Sequence, residues 1–180
     1  MSEEKTVYIL LTRSGTWFSR LIHLVTDDCY THASLGLDGP AGPFYSFARR
    51  YKRFALPAGL VQERVPAVHN GRQTPCCLYA LKVPHPTYLR LRRRLQKMYA
   101  HREEYHYNLL GIVSCLFHCP LSRKRHYFCS QFAANLLEQC GAVELEKSPG
   151  LTRPSDFCRL PCLQTVYHGE LGRLRAAGPA

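Results

Sequence analysis

The run YTHASLGLDGPAGPFYSFARR, residues 30–50, restricts the fold more than any other part of the chain. Ala33, Leu35 and Leu37 alternate with His32, Ser34 and Gly36, the period of a strand with one apolar face. GPAGP then imposes a turn, and FYSFARR (44–50) reads as the strand that returns beside the first. The pattern predicts an antiparallel hairpin. His32 opens it, on the face opposite the apolar residues.

Other segments extend that sheet and cover it. KTVYILLTR (5–13) is rich in β-branched and aromatic residues and reads as a strand, as does CCLYALKV (76–83), closed by PHP. Residues 51–75 read as loop from their Pro, Gly and charge, with a short strand at GLVQERV. The spacing of Trp17, Leu21, Leu24 and Val25 predicts a helix over 14–28, capped by Ser14 or Thr16. Two more helices are expected at 87–104 and about 106–117. A further one starts at Cys129 and ends at Gly141. The chain beyond it reads as irregular. Together these predict one α+β domain over 1–170, an antiparallel sheet packed against helices, with 171–180 as a flexible tail.

Composition limits the function classes. At 180 residues and 46% hydrophobic content the chain can bury a full core and is not a disordered sequence. No stretch approaches the roughly 20 apolar residues of a membrane span; the longest, LLGIVSCLF, is about half that and reads as a buried helix segment. The N-terminal MSEEKTVYILLTRS has no small-residue cleavage site, so the cytoplasm is the expected compartment. There the nine cysteines act as free thiols and small hydrophobes, and their odd number does not complete a disulfide framework. The net charge of +11 is concentrated in YLRLRRRLQKMYAHREEY (88–105). Arg90, Arg92, Arg93, Arg94, Lys97 and Arg102 ring an apolar stripe there, the pattern of a solvated helix face. The charge also suits an anionic partner held on helix 87–104, although no zinc finger or Gly-rich phosphate loop accompanies it.

RHYFCSQFAANLL (125–137) places Cys129 where an amphipathic helix begins. The thiolate is the reactive form of cysteine, and a helix N-terminus favours it through partial positive charge and free N–H groups. Arg123, Lys124, Arg125 and His126 lie just upstream. The same N–H groups suit an oxyanion on a substrate carbonyl. Cys129 shares a stripe with Ala133, Leu136 and Cys140, so a buried structural thiol fits the same spacing. A nucleophile additionally needs a base, and the strand-start His32 is the candidate.

TRSGTWFSRLIHLVTDDCYTHASLGLD, FYSFARR, and later YFCSQFAANLL and LTRPSDFCRL resemble the YiiX-like branch of the NlpC-type, circularly permuted papain-like proteins. Tyr30-Thr31-His32 matches the histidine signature that begins a central strand. Cys129-Ser130 matches the one that begins the helix packed across it, and residues 152–157 match a closing element. The resemblance implies a permuted papain-like (NlpC-type) fold. It implies a cysteine hydrolase that cleaves a peptide, isopeptide or ester bond through an acyl-thioester on Cys129, with His32 as base. A third residue should orient the imidazole. The strand after the histidine offers Ser46, with Glu63 as the alternative if its loop folds back. Tyr8 and Ser130 are further candidates at the oxyanion.

The substrate expected is a peptide or an acyl-bearing small molecule, with no cofactor and no metal. The alternatives are a lipid acyl hydrolase or acyltransferase, and a binding protein of the same fold with weak or no turnover. Cys115, Cys119, Cys158 and Cys162 form two Cys-x3-Cys pairs at zinc-compatible spacing, without the glycines of a zinc knuckle. Tyr99, Tyr105, Tyr107 and Phe117 read as core aromatics that also suit a groove wall.

Overall fold

The computed structural model describes residues 3–13, 28–49, 58–64 and 74–177. The helix expected over 14–28 lies outside these residues except for Asp28, as does most of the loop 51–75. The hairpin forms from β2 (His32–Gly36) and β3 (Pro43–Arg49), with Leu35 opposite Tyr45 and Gly36 opposite Phe44. β1 (Glu4–Thr12) lies on the other side of β2, with Thr12 opposite His32. β5 (Pro75–Pro84) pairs along the far edge of β1, and β4 (Ala58–Arg64) along β3. Two-residue strands β6 (His106–Tyr107) and β7 (His126–Tyr127) and the edge strand β8 (Gln164–Glu170) complete the sheet. Among the described residues it has eight strands in the order β7-β6-β4-β3-β2-β1-β5-β8. All neighbours are antiparallel except β6 and β7.

Both faces of this sheet are apolar, so both must be covered. On one face, α1 (His85–Ala100) and α3 (Cys129–Gln139) bring Leu91, Leu95, Phe132 and Leu136 against Val7, Ile9, Leu35, Phe47 and Leu60. On the other, Leu10, Phe44, Cys76 and Leu78 meet Leu171 and Leu174. The architecture is α+β, with helices and sheet sharing one main core. Among the described residues, no helix is long and apolar enough to cross a membrane.

The last contact corrects the expected flexible tail. Residues Leu171–Ala177 form a 3₁₀ helix whose Leu171 and Leu174 are buried against Leu10, Phe44, Cys76 and Leu78 on the second sheet face. Leu171→Ala is therefore expected to cost about 2–5 kcal/mol, the range for truncating a buried leucine. Urea unfolding measures it; an unchanged midpoint would mean that the tail contributes nothing.

The basic helix also differs from expectation. α1 begins at His85, directly after β5, with a proline in its first turn, and stops at Ala100. Its Arg90 is not available for a partner. The guanidinium donates to the Cys140 carbonyl at 3.0 and 3.2 Å and to Thr87 Oγ1 at 2.7 Å. It thereby caps the C-terminus of α3, where a cation is favoured. Gly141 takes φ 68° immediately beyond, and its N–H closes on the Glu138 carbonyl.

α2 (Leu109–Leu116) starts later than expected because a 3₁₀ turn, Arg102–Glu104, and β6 come first. Asn108 caps it, its Oδ1 accepting from the Gly111 N–H at 3.0 Å. A Cβ on Gly111 would stand 2.2 Å from the Asn108 amide nitrogen, so the cap needs glycine there. The outer face of α2 is the second correction. Leu109, Leu110, Val113 and Phe117 are exposed, not buried.

Candidate active site

Cys129 is the first residue of α3, and α3 packs on β2 and β3. Its first turn is fixed by Gln131, whose Oε1 accepts from the Phe128 N–H at 3.3 Å, the reach-back half of a capping box. Asn108 Nδ2 donates to that same Oε1 at 3.3 Å and to the Leu121 carbonyl at 3.2 Å. The start of α2, the turn at Leu121 and the start of α3 thus share one buried amide network. Such a network holds the N-terminal N–H groups of α3 in place.

His32 stands where the β2–β3 ladder has not yet begun. Just ahead of it, the Tyr30 N–H meets Ser155 Oγ at 3.4 Å, and Arg153 pairs with Asp28 at 3.4 Å. The closing element 152–157 therefore braces the chain that leads into His32. The imidazole Nε2 lies 3.2 Å from both carboxylate oxygens of Glu63. His32 also shares a hydrogen bond with the Cys129 thiol.

Opposing forces set the charges of this pair. Burial disfavours a charged imidazole and is the largest single influence on His32. The Glu63 carboxylate and the bond to Cys129 outweigh it and hold His32 well above its ordinary value. Burial likewise pushes the Cys129 thiol up most strongly. The His32 hydrogen bond and charge, and the N–H groups of Ala33 and Ser130, turn the net shift downward. Both shifts favour a thiolate beside an imidazolium, the reactive form of a cysteine nucleophile. Cys129 keeps only 6% of its surface in contact with solvent, so the sulfur is shielded.

Of the residues singled out in the sequence, Cys129, His32 and Glu63 come together. Ser46 does not join them. Its hydroxyl is fully buried and makes no hydrogen bond, and it pairs across the ladder with Val61. The carboxylate of Glu63 lies against the imidazole instead. Tyr8 is also elsewhere: it lies opposite Gly36, at the far end of β2 from His32, and packs against the cluster of Leu10, Phe44 and Leu78. Ser130 contributes its backbone N–H to the sulfur, while its buried Oγ has no partner. Ser46→Ala is expected to be neutral or stabilising by about 1 kcal/mol, since it removes an unsatisfied buried hydroxyl. It should leave the reactivity of Cys129 unchanged; a loss of reactivity would restore Ser46 to the site.

One functional candidate reads in the sequence only as a groove aromatic. Tyr107 on β6 lies close enough to Cys129 for the thiolate charge to act on its phenol. Burial first, and that charge second, raise Tyr107 well above its usual value. Tyr107 therefore stays a neutral O–H donor. Its two-residue strand carries no period that would mark it.

The Cys-x3-Cys pairs do not converge. Cys115 is buried while Cys119, Cys158 and Cys162 are exposed, and among the described residues no group of three or more His, Cys, Asp or Glu side chains is placed to hold a metal ion. No protein-family model, curated protein or solved structure matches the chain.

Proposed function

We propose that this chain is a cysteine hydrolase of the permuted papain-like kind, acting on an amide or ester carbonyl. The observation that carries the reading is the Cys129 sulfur held against His32, with Glu63 on the far side of the ring. The order of the parts agrees with it: histidine on a strand precedes cysteine at a helix start. The Cys129 sulfur attacks the carbonyl carbon, and the carbonyl π electrons move to oxygen. N–H groups at the start of α3 are the donors available to that developing charge. Collapse expels the amine or alcohol, which takes the His32 proton, and leaves an acyl-thioester. Water then attacks as neutral His32 accepts its proton, releasing the acid and restoring the pair. Glu63 fixes the ring tautomer and supports its positive charge throughout.

The test is a contest among the nine thiols. Limiting iodoacetamide near pH 6, followed by peptide mapping, is expected to label Cys129 first, although Cys29, Cys119, Cys158 and Cys162 are exposed. Accessibility alone predicts the opposite order. A p-nitrophenyl ester should in addition leave an acyl group on Cys129 that neutral hydroxylamine removes. Labelling led by the exposed thiols, with no acyl adduct, would sink the enzyme reading.

A further inference from the structure

α2 presents an apolar surface to solvent that the core does not use. Leu109 is 44% exposed, Leu110 60%, Val113 52% and Phe117 75%. Positions 110, 113 and 117 are spaced as one side of a helix, and 109 and 113 lie a turn apart on the same side. The opposite side, through Gly111 and Cys115, is buried. A monomer's scattered exposed leucines need no explanation, but a contiguous set on one helix face marks a contact site.

The surroundings say what kind of contact. From Tyr105 through Leu137 the sequence holds no Asp or Glu, while Arg123, Lys124 and Arg125 lie in the turn that follows α2. Arg123 and Lys124 are exposed; Arg125 is engaged by Glu104. His118, next to Phe117, is exposed as well. An apolar face flanked by the exposed cations Arg123 and Lys124 complements a surface with an apolar interior and anionic headgroups.

We propose that α2 and the turn 123–124 dock on an anionic lipid bilayer, Phe117 and Leu110 entering the headgroup–acyl boundary. The amide network from Asn108 to Gln131 ties this face to the first turn of α3. Docking therefore fixes the orientation of the start of α3, and with it Cys129, relative to the bilayer. If the acyl-transfer reading above holds, the substrate class is an acyl group presented at a membrane surface; the docking itself does not rest on that reading.

The experiment uses full-length protein carrying Cys129→Ser, so that binding is read without chemistry. Co-sedimentation is measured with phosphatidylcholine vesicles and with vesicles of phosphatidylserine mixed into phosphatidylcholine. Retention is expected on the mixed vesicles and is expected to weaken with salt. Phe117→Ser and Leu110→Ser should each lower the partition at least about tenfold. Arg123→Gln and Lys124→Gln should each lower it about fivefold. All four side chains are exposed, and circular dichroism confirms that each variant is folded. No retention, equal retention on both vesicle types, or retention indifferent to Phe117→Ser overturns the proposal. So does a dimer in analytical ultracentrifugation that Phe117→Ser dissociates in the absence of vesicle binding, which would assign the face to a second copy of the chain. Ester-dependent acylation of Cys129 is scored separately on the unsubstituted protein, so either proposal can fail alone.

Discussion

His32→Ala is expected to slow alkylation of Cys129 at pH 6 by at least about two orders of magnitude. A thiol of ordinary pKa is only about 0.3% ionised at that pH. In the intact site the balance of burial, His32 and two backbone N–H groups moves the thiol below its ordinary value. Removing the imidazole leaves burial as the main influence, and burial pushes the thiol up. The pH profile should change shape as well as height. Alkylation by the intact pair rises as pH climbs through the lowered thiol value and holds while His32 remains protonated. Reactivity that depends on the imidazolium then declines as pH passes the raised His32 value. The variant should instead show a single limb, rising only near or above the usual thiol range. Glu63→Gln keeps the ring's neighbour but removes its charge, so it should narrow the plateau from the alkaline side. A variant rate at pH 6 within threefold of the original would mean that His32 does not ionise the thiol.

Phe132→Ala should cost about 3–5 kcal/mol, the range for deleting a fully buried aromatic. Phe132 is 1% exposed, and its ring centroid lies 5.2 Å from that of Phe47, which also meets Tyr105 and Tyr127. These rings join α3 to β3 and to the short strands around Tyr107. A domain of ordinary stability, about 5–15 kcal/mol, loses a large share of its margin by such a change. Phe132→Leu, which keeps most of the volume, should cost less, about 1–2 kcal/mol. Chemical denaturation of both variants measures the difference. Equal costs would indicate that the helix seam collapses around the missing ring. The alanine variant also tests position: Phe132 is one turn beyond Cys129, so a shift of α3 should lower Cys129 alkylation even where the protein remains folded.

The parts with a strong local period are legible in the amino-acid sequence alone. The β2–β3 hairpin, β1 and β5 carry alternation and β-branched residues, and α1 and α3 carry apolar stripes. Strands of two residues have no period, so β6 and β7 exist only because Gly59 and each other's backbones pair with them. β8 escapes the pattern for a different reason. Its outer residues face solvent, which erases apolar alternation while β5 supplies the hydrogen bonds. α2 shows the reverse error: composition predicts burial for LLGIVSCLF, but among the described residues the helix buries its Gly111–Cys115 side alone.

The same division runs through the site. A cysteine at a helix start and a histidine at a strand start are chemical facts of the chain, because their backbone settings follow from short-range pattern. Whether Ser46 or Glu63 meets the imidazole is not written in either strand. That choice depends on how β2, β3 and β4 lie beside one another, and on which side chains the curvature of three strands brings to one point. Sequence period assigns a residue to a face; it carries no information about which residue two strands away arrives there. Packing across the sheet made that assignment, leaving a carboxylate on His32 and a hydroxyl buried without a partner.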